Sequence, residues 1–332
     1  MTRTVRWGLS TIVAIAILWT GVWFGARWWL ESSIAKSMAD LSSTNGITVD
    51  CPSETIGGWP FQLTLDCSSG LTVTLPDGGK FMSANAHGEG SVFDPHQLDF
   101  RFMAPISYTA PDSRKLDITA SELTASLRLT DGRANRVTVK TAGLAASGPV
   151  AGRTEGKLTI GRGELLLERA AQQPEDGEIA ATIDGLGVAA GPTTLTPLPV
   201  RLALAATVTK ADMAMAGPTE LASWQAAGGK VTLHRLMADL GGATLTLTGE
   251  GTVSQNGLVE ADGKVTGHNL NALALAAAAG GHSLTPEVAG LVMAFVLMGS
   301  SADDGGRSIG LKITDGVVSA NGRKLAEIAP LF

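Results

Sequence analysis

From Ile47 onward, apolar side chains recur at every second position. Phe61, Leu63, Leu65 and Cys67 alternate with Gln62, Thr64 and Asp66. Leu71, Val73 and Leu75 alternate with Thr72 and Thr74, and Leu98, Phe100 and Phe102 with Gln97, Asp99 and Arg101. The spacing returns at Leu123, Ala125, Leu127 and Leu129, at Leu202, Leu204 and Ala206, and at Leu245 and Leu247. Successive side chains of a strand point to opposite faces, so this pattern predicts a sheet with one dry and one wet face. Thr on the wet face suits β geometry. The separators are Asp77-Gly78, Asp131-Gly132, Asp184-Gly185, Asn256-Gly257, Asp262-Gly263, Asp315-Gly316 and Asn321-Gly322. Such dipeptides are strong hairpin signals. The fold class predicted is mainly β: a long antiparallel meander without βαβ alternation, interrupted by a few short helices towards the C-terminus.

Those helices are read at residues 218–227, 270–279 and 286–298. The last opens on Thr285-Pro286, an N-cap with Pro at the first helical position, and stops at Gly299. Val288, Leu291, Val292 and Phe295 fall on one helical face. Leu297 falls on the other, which is equally apolar. At ~1.5 Å per residue the run is too short to cross a bilayer. It either packs on the sheet or caps an apolar groove and touches lipid. Residues 172–177, Gln-Gln-Pro-Glu-Asp-Gly, form the most polar break. They mark an internal boundary or a long exposed hairpin loop.

The other constraint lies at the N-terminus. Residues 7–26 carry no charge, and twenty helical residues span ~30 Å, the thickness of a bilayer's hydrocarbon core. Arg3 and Arg6 precede the run and Arg27 follows it, with Trp7 at one end and Trp28 and Trp29 at the other, as in interfacial aromatic belts. Phe24-Gly25-Ala26 before Arg-Trp-Trp is a poor cleavage site, so the run reads as a retained anchor. The expected organisation is a cytoplasmic tail over residues 1–6, a transmembrane anchor over 7–28, a juxtamembrane helix over 29–44 and an exported β-rich domain over 45–332. The positive-inside rule places the N-terminus in the cytoplasm and the bulk in the periplasm, with a single pass through the inner membrane.

The two cysteines, Cys51 and Cys67, fall in the exported part. In an oxidising compartment such a pair bonds; the alternative is two buried free thiols. Trp59 and Pro60 are expected in the turn that brings them together. Pro60 fixes φ and cannot donate a ladder bond, so it should open the strand that begins with Phe61.

Catalytic chemistry finds little support. The five histidines form no HxH or HExxH pair. Ser33-Ile34-Ala35-Lys36 matches S-x-x-K but has no S-D-N or K-T-G partner. Gly88-Glu89-Gly90 and Gly249-Glu250-Gly251 open no helix, and no G-K-[ST] follows. The net charge of −6 argues against nucleic acid as a partner. Neither a metal nor a cofactor is called for, and the chain is read as non-enzymatic. Aromatics also point away from a thick enzyme core. Trp7, Trp19, Trp23, Phe24, Trp28 and Trp29 all precede residue 30, although the whole chain has only 7 Trp, 8 Phe and 1 Tyr.

Gly58-Trp59-Pro60-Phe61-Gln62-Leu63, lying between the cysteines, is followed by Val92-Phe93-Asp94-Pro95-His96 and by Ala104-Pro105. The chain closes with Asp315-Gly316 and Ala329-Pro330-Leu331. This series resembles a family of anchored envelope proteins of Gram-negative bacteria known only as a domain of unknown function. Trp59, Pro60 and Phe61 are its structural motif. Gln62 stands where that pattern has Arg, Phe93-Asp94 where it has Tyr, and a single Pro330 precedes Leu331. More distantly the plan is similar to the AsmA-like group, which implies one anchor followed by an extended sheet curled into an apolar groove. The resemblance implies a lipid-handling or outer-membrane-homeostasis accessory, with lipid and the inner membrane as partners. The alternative is a periplasmic scaffold that docks other envelope proteins.

Overall fold

The structure, a computed structural model, describes residues 17–25, 27–28, 31–32, 36, 42–43, 46–130, 133–150, 153–190, 193–194, 200–214, 218–270, 299–301, 305–320 and 322–331. These are mainly β, and every strand pairing that follows is antiparallel. Contacts divide the chain into two compact units, residues 1–134 and 135–332.

The first unit contains β1 (Thr48–Asp50), β2 (Glu54–Gly57), β3 (Gln62–Cys67) and β4 (Leu71–Thr74). These are followed by β5 (Lys80–Ser91), β6 (Gln97–Thr109), β7 (Lys115–Thr119) and β8 (Glu122–Thr130). The long β5–β6 hairpin is its spine. β3 and β4 share one edge of β5, β7 and β8 share the far edge of β6, and β2 and β1 extend β3 and β4. The spine has an irregularity where Ser83 and Asn85 face Ile106 and Met103. There the buried Ser83 hydroxyl shares its one proton between the carbonyls of Asn85 and Met103, at 2.8 and 3.1 Å. It thereby serves acceptors that the interrupted ladder leaves open. Ile106, 1 % exposed, packs beside it.

The second unit contains all but the first two residues of β9 (Arg133–Val150), then β10 (Arg153–Arg169), β11 (Gly177–Ala190), β12 (Thr193–Thr194), β13 (Val200–Val208) and β14 (Val231–Leu240). It continues with β15 (Thr244–Val253), β16 (Val259–His268), β17 (Ser300–Ser301), β18 (Arg307–Thr314), β19 (Val317–Ala320) and β20 (Arg323–Glu327). Apart from the short β12 and β17, each strand pairs with the next in sequence, which is the expected meander. The helix Pro218–Ala226 lies between β13 and β14. Its Trp224 is buried and donates its indole N–H to the Thr209 carbonyl at 2.6 Å.

Two expected turns are not turns. Asp184-Gly185 lies inside β11, at a register shift between Ile183 and Leu186. Gly185 takes a positive φ of 70°, so the dipeptide forms a bulge rather than a reversal. Asp262-Gly263 lies inside β16, paired with β15 on one side and β18 on the other. By contrast Asp315 and Gly316, with φ of 50° and 74°, join β18 to β19 as a tight hairpin. Residues 170–176 connect β10 to β11. Asp131-Gly132 and Asn321 lie outside the described residues.

Candidate functional site: an apolar trough and an aromatic docking point

The registers of the second unit bring its apolar positions into rows across the strands. One row runs Val137, Leu167, Ile179, Ala206, Leu233, Gly249, Gly263, Leu311, Ala320, from β9 to β19. A neighbouring row runs Val208, Val231, Gly251, Ala261, Ile313. Most of these side chains are half-buried, whereas Glu250, Glu260, Asp262 and Lys312, on the opposite face, are exposed.

Where the rows cross β15 and β16 the side chains shrink. Gly249, Gly251, Ala261 and Gly263 form a floor, and Val231, Leu233 and Leu247 on one side and Leu311 and Ile313 on the other stand as walls of a cavity of about 220 Å³. The glycines are required by backbone proximity. A Cβ on Gly249 would lie 2.5 Å from the Asp262 carbonyl oxygen and 2.8 Å from the Gly263 Cα. The two strands approach there more closely than any side chain allows, which is the usual meaning of Gly inside a strand. At one end of the trough, Leu270 covers Gly267 and packs with Ile309 and Ala320, supported by Leu245, Val265 and Leu311. The opposite face of these strands borders a separate hollow of about 880 Å³ whose lining includes Lys230, Glu250, Glu260, Asp262 and Lys312. Lys230 and Glu250 pair there across β14 and β15.

In the first unit, Cys51 and Cys67 are disulfide-bonded, with Cα atoms 5.4 Å apart. The β2–β3 hairpin folds Cys67 back beside Glu54. Trp59, Pro60 and Phe61 form its turn, and the strand opens one residue later than expected, at Gln62. Gly58 makes the turn possible: its φ is +96°, and a Cβ would lie 2.7 Å from the Gln62 carbonyl oxygen.

This turn is also where the N-terminal segment docks. Residues 17–25 are helical, and Trp19 and Trp23, four apart, share one face. Trp19 Nε1 donates to the Pro60 carbonyl at 2.9 Å, and Trp23 Nε1 donates to the Gln62 carbonyl at 3.0 Å. Trp23 is 4 % exposed. The rings of Trp19, Phe61 and Phe93 lie 5.6 to 5.9 Å apart, within aromatic packing distance. In the sequence Trp19 and Trp23 are members of an apolar run, and nothing local names their partner. Among the described residues no helix is long and apolar enough to cross a membrane, and residues 7–16 of the expected anchor lie outside them. So does most of the expected juxtamembrane helix over residues 29–44. Val288, Leu291, Val292, Phe295 and Leu297 also lie outside the described residues.

The His87 Nδ1 sits 2.6 Å from Asp66 Oδ1 as a cross-strand pair of β3 and β5, and Glu89 is 3.8 Å from its Nε2. Among the described residues no three His, Cys, Asp or Glu are grouped to hold a metal. Among the described residues the perturbed groups are surface ones. The backbone N–H of Arg114 holds the Asp112 carboxyl below its usual range, the Lys324 ammonium does the same for Glu327, and Glu168 raises the Arg136 guanidinium.

No curated protein and no solved structure matches the chain. A family model, described as an uncharacterized protein conserved in bacteria (DUF2125), matches residues 23–329, from the docked Trp23 through the trough to the closing Ala-Pro-Leu segment. The chain belongs to this DUF2125 family of bacterial proteins.

Proposed function

We propose that this protein is a non-enzymatic, membrane-anchored envelope protein that handles lipid, with the trough of the second unit as the seat of an acyl chain. The observation that carries this reading is the apolar row from Val137 to Ala320, with its floor of Gly249, Gly251, Ala261 and Gly263. A floor of three glycines and one alanine between aliphatic walls accepts a methylene chain lengthwise. Burying such a chain is favoured by ~0.8 kcal/mol per CH₂. The similarity of plan to AsmA-like proteins is part of this proposal.

The location proposed is the inner membrane, with the N-terminus in the cytoplasm and both units in the periplasm. Three features support it: the uncharged run of residues 7–26, the arginines before it, and the disulfide, which belongs to oxidising compartments.

Mass spectrometry of the full chain purified in detergent tests the reading. Phospholipid or acyl species should be retained by the wild type and depleted in Ala261→Leu, whose larger side chain fills the floor. Equal lipid content in both, at equal folding, would refute the trough as the site. Co-purification of a defined envelope protein without lipid would favour a docking scaffold instead.

A further inference from the structure

We infer that the turns at residues 58–61 and 92–96 are a membrane-seating collar: they press Trp59, Phe61 and Phe93 into the leaflet that surrounds the chain's own N-terminal helix. This rests on the anchor reading of residues 7–26 and adds the depth at which the first unit sits.

The two long strands of that unit give it two unlike ends. At one end the turns carry Pro76, Asp77, Gly78 and Gly79, and Pro111, Asp112, Ser113 and Arg114. At the other end the turns carry Trp59, Pro60, Phe61, Val92 and Phe93. The backbone N–H of Val92 donates to the Phe61 carbonyl at 3.0 Å, so the two aromatic turns are one body. Trp59, Phe61 and Phe93 are nevertheless 59 %, 53 % and 70 % exposed. Large rings clustered at a tip, rimmed by polar groups, are unusual on a surface that faces only water.

The helix docked there identifies what they face. Trp19 and Trp23 turn towards the collar, while Ile17, Leu18, Val22 and Phe24 remain exposed on the same helix. The uncharged residues 7–16 precede it. If this helix lies in a bilayer, the collar lies in it too, because Trp19 contacts Pro60, Phe61 and Phe93 directly. Arg27, the first charge after the run, is eight residues beyond Trp19, or about 12 Å along a helix. With Arg27 at the headgroup level, the Trp23 contact lies about 6 Å and the Trp19 contact about 12 Å below it along the helix, so the collar reaches from the interface into the acyl region. At this end Asp94 and Arg128 pair at 3.2 Å. Trp favours the interfacial level and Phe the apolar level beneath it.

The test uses the full chain in nanodiscs of phosphatidylethanolamine and phosphatidylglycerol. Nitroxides are attached at Phe93→Cys and Trp59→Cys in the collar, and at Asp112→Cys at the other end of β6, ~40 Å away. The native cysteines are bonded and remain unlabelled. Relaxation by oxygen, which partitions into lipid, is compared with relaxation by a water-soluble nickel chelate. The collar labels should show an oxygen-to-nickel ratio several-fold above that of Asp112→Cys. Equal, water-like ratios at all three sites would overturn the collar while leaving the anchor intact. Collar labels shielded from both reagents would overturn it in favour of a protein partner or a second copy. Failure of the wild-type chain to enter nanodiscs would remove the anchor reading and the collar with it.

Discussion

The indole N–H of Trp23 donates to the backbone carbonyl of Gln62 across 39 positions of sequence, at 3.0 Å. This bond and that of Trp19 to Pro60 tie a helix to the turn of the first β-hairpin. A buried indole needs a partner for its single donor, and a carbonyl at the tip of the hairpin supplies one. The Gly58-Trp59-Pro60-Phe61 motif thus shapes a hairpin and receives the N-terminal helix.

Trp23→Phe should keep most of the buried ring and lose the donor, costing about 1 kcal/mol. Trp23→Ala should cost about 3–5 kcal/mol. Chemical denaturation in detergent measures both. Hydrogen exchange should show the loss concentrated in residues 58–62, and unchanged protection there in the Ala variant would refute the docking.

Replacing Cys51 and Cys67 together by Ser should lower stability by ~3 kcal/mol, the chain-entropy value for a loop of this length. The urea midpoint should fall with an altered m-value, because the unfolded state expands. An unchanged midpoint would mean that the β2–β3 hairpin holds its place unaided.

The alternation of apolar residues made strands and meander legible, because period two is a direct consequence of the pleat. Turn dipeptides were less decisive. Asp77-Gly78, Asn256-Gly257 and Asp315-Gly316 reverse the chain, but Asp184-Gly185 and Asp262-Gly263 sit inside strands. A glycine that permits a positive φ in a turn also permits a bulge or a close strand approach, and two residues of sequence do not distinguish them. The trough was legible only as a dry face. Its position depends on registers that bring Gly249, Gly263, Gly251 and Ala261 opposite one another, and register is a long-range property. The docking of Trp19 and Trp23 had a local signal, two indoles four residues apart, which gives a shared helix face but does not name its partner.

Acid should act on the exposed carboxylates in a definite direction. Lys324 hydrogen-bonds to Glu327 and lowers its pKa, so the contribution is present above the unfolded carboxylate value and is lost as pH falls through the folded one. Glu327→Gln should therefore loosen β20 at neutral pH and make no difference at the acid end of the carboxylate range. Hydrogen exchange of residues 323–327 against pH measures this. A difference that persists in strong acid would show that the pair is not its source.

The trough glycines separate close approach from mere smallness. A Cβ at Gly249 meets backbone, the Asp262 oxygen at 2.5 Å and the Gly263 Cα at 2.8 Å. Backbone cannot swing aside as a flexible side chain does, so β15 and β16 must part. Gly249→Ala should cost about 1–3 kcal/mol, as overpacking does. Gly310, in the neighbouring β18, is the control: it is exposed, and a Cβ there meets nothing within 4 Å. Gly310→Ala should be neutral or gain about 0.4–1 kcal/mol through a less flexible unfolded chain. Ala261→Leu adds bulk into the cavity without touching the Gly249 contact, so it should keep the melting temperature while displacing a bound chain. The melting temperatures should then rank Gly310→Ala at or above wild type, Ala261→Leu near it, and Gly249→Ala below. A Gly249→Ala protein that melts with the wild type would show that β15 and β16 do not need to touch.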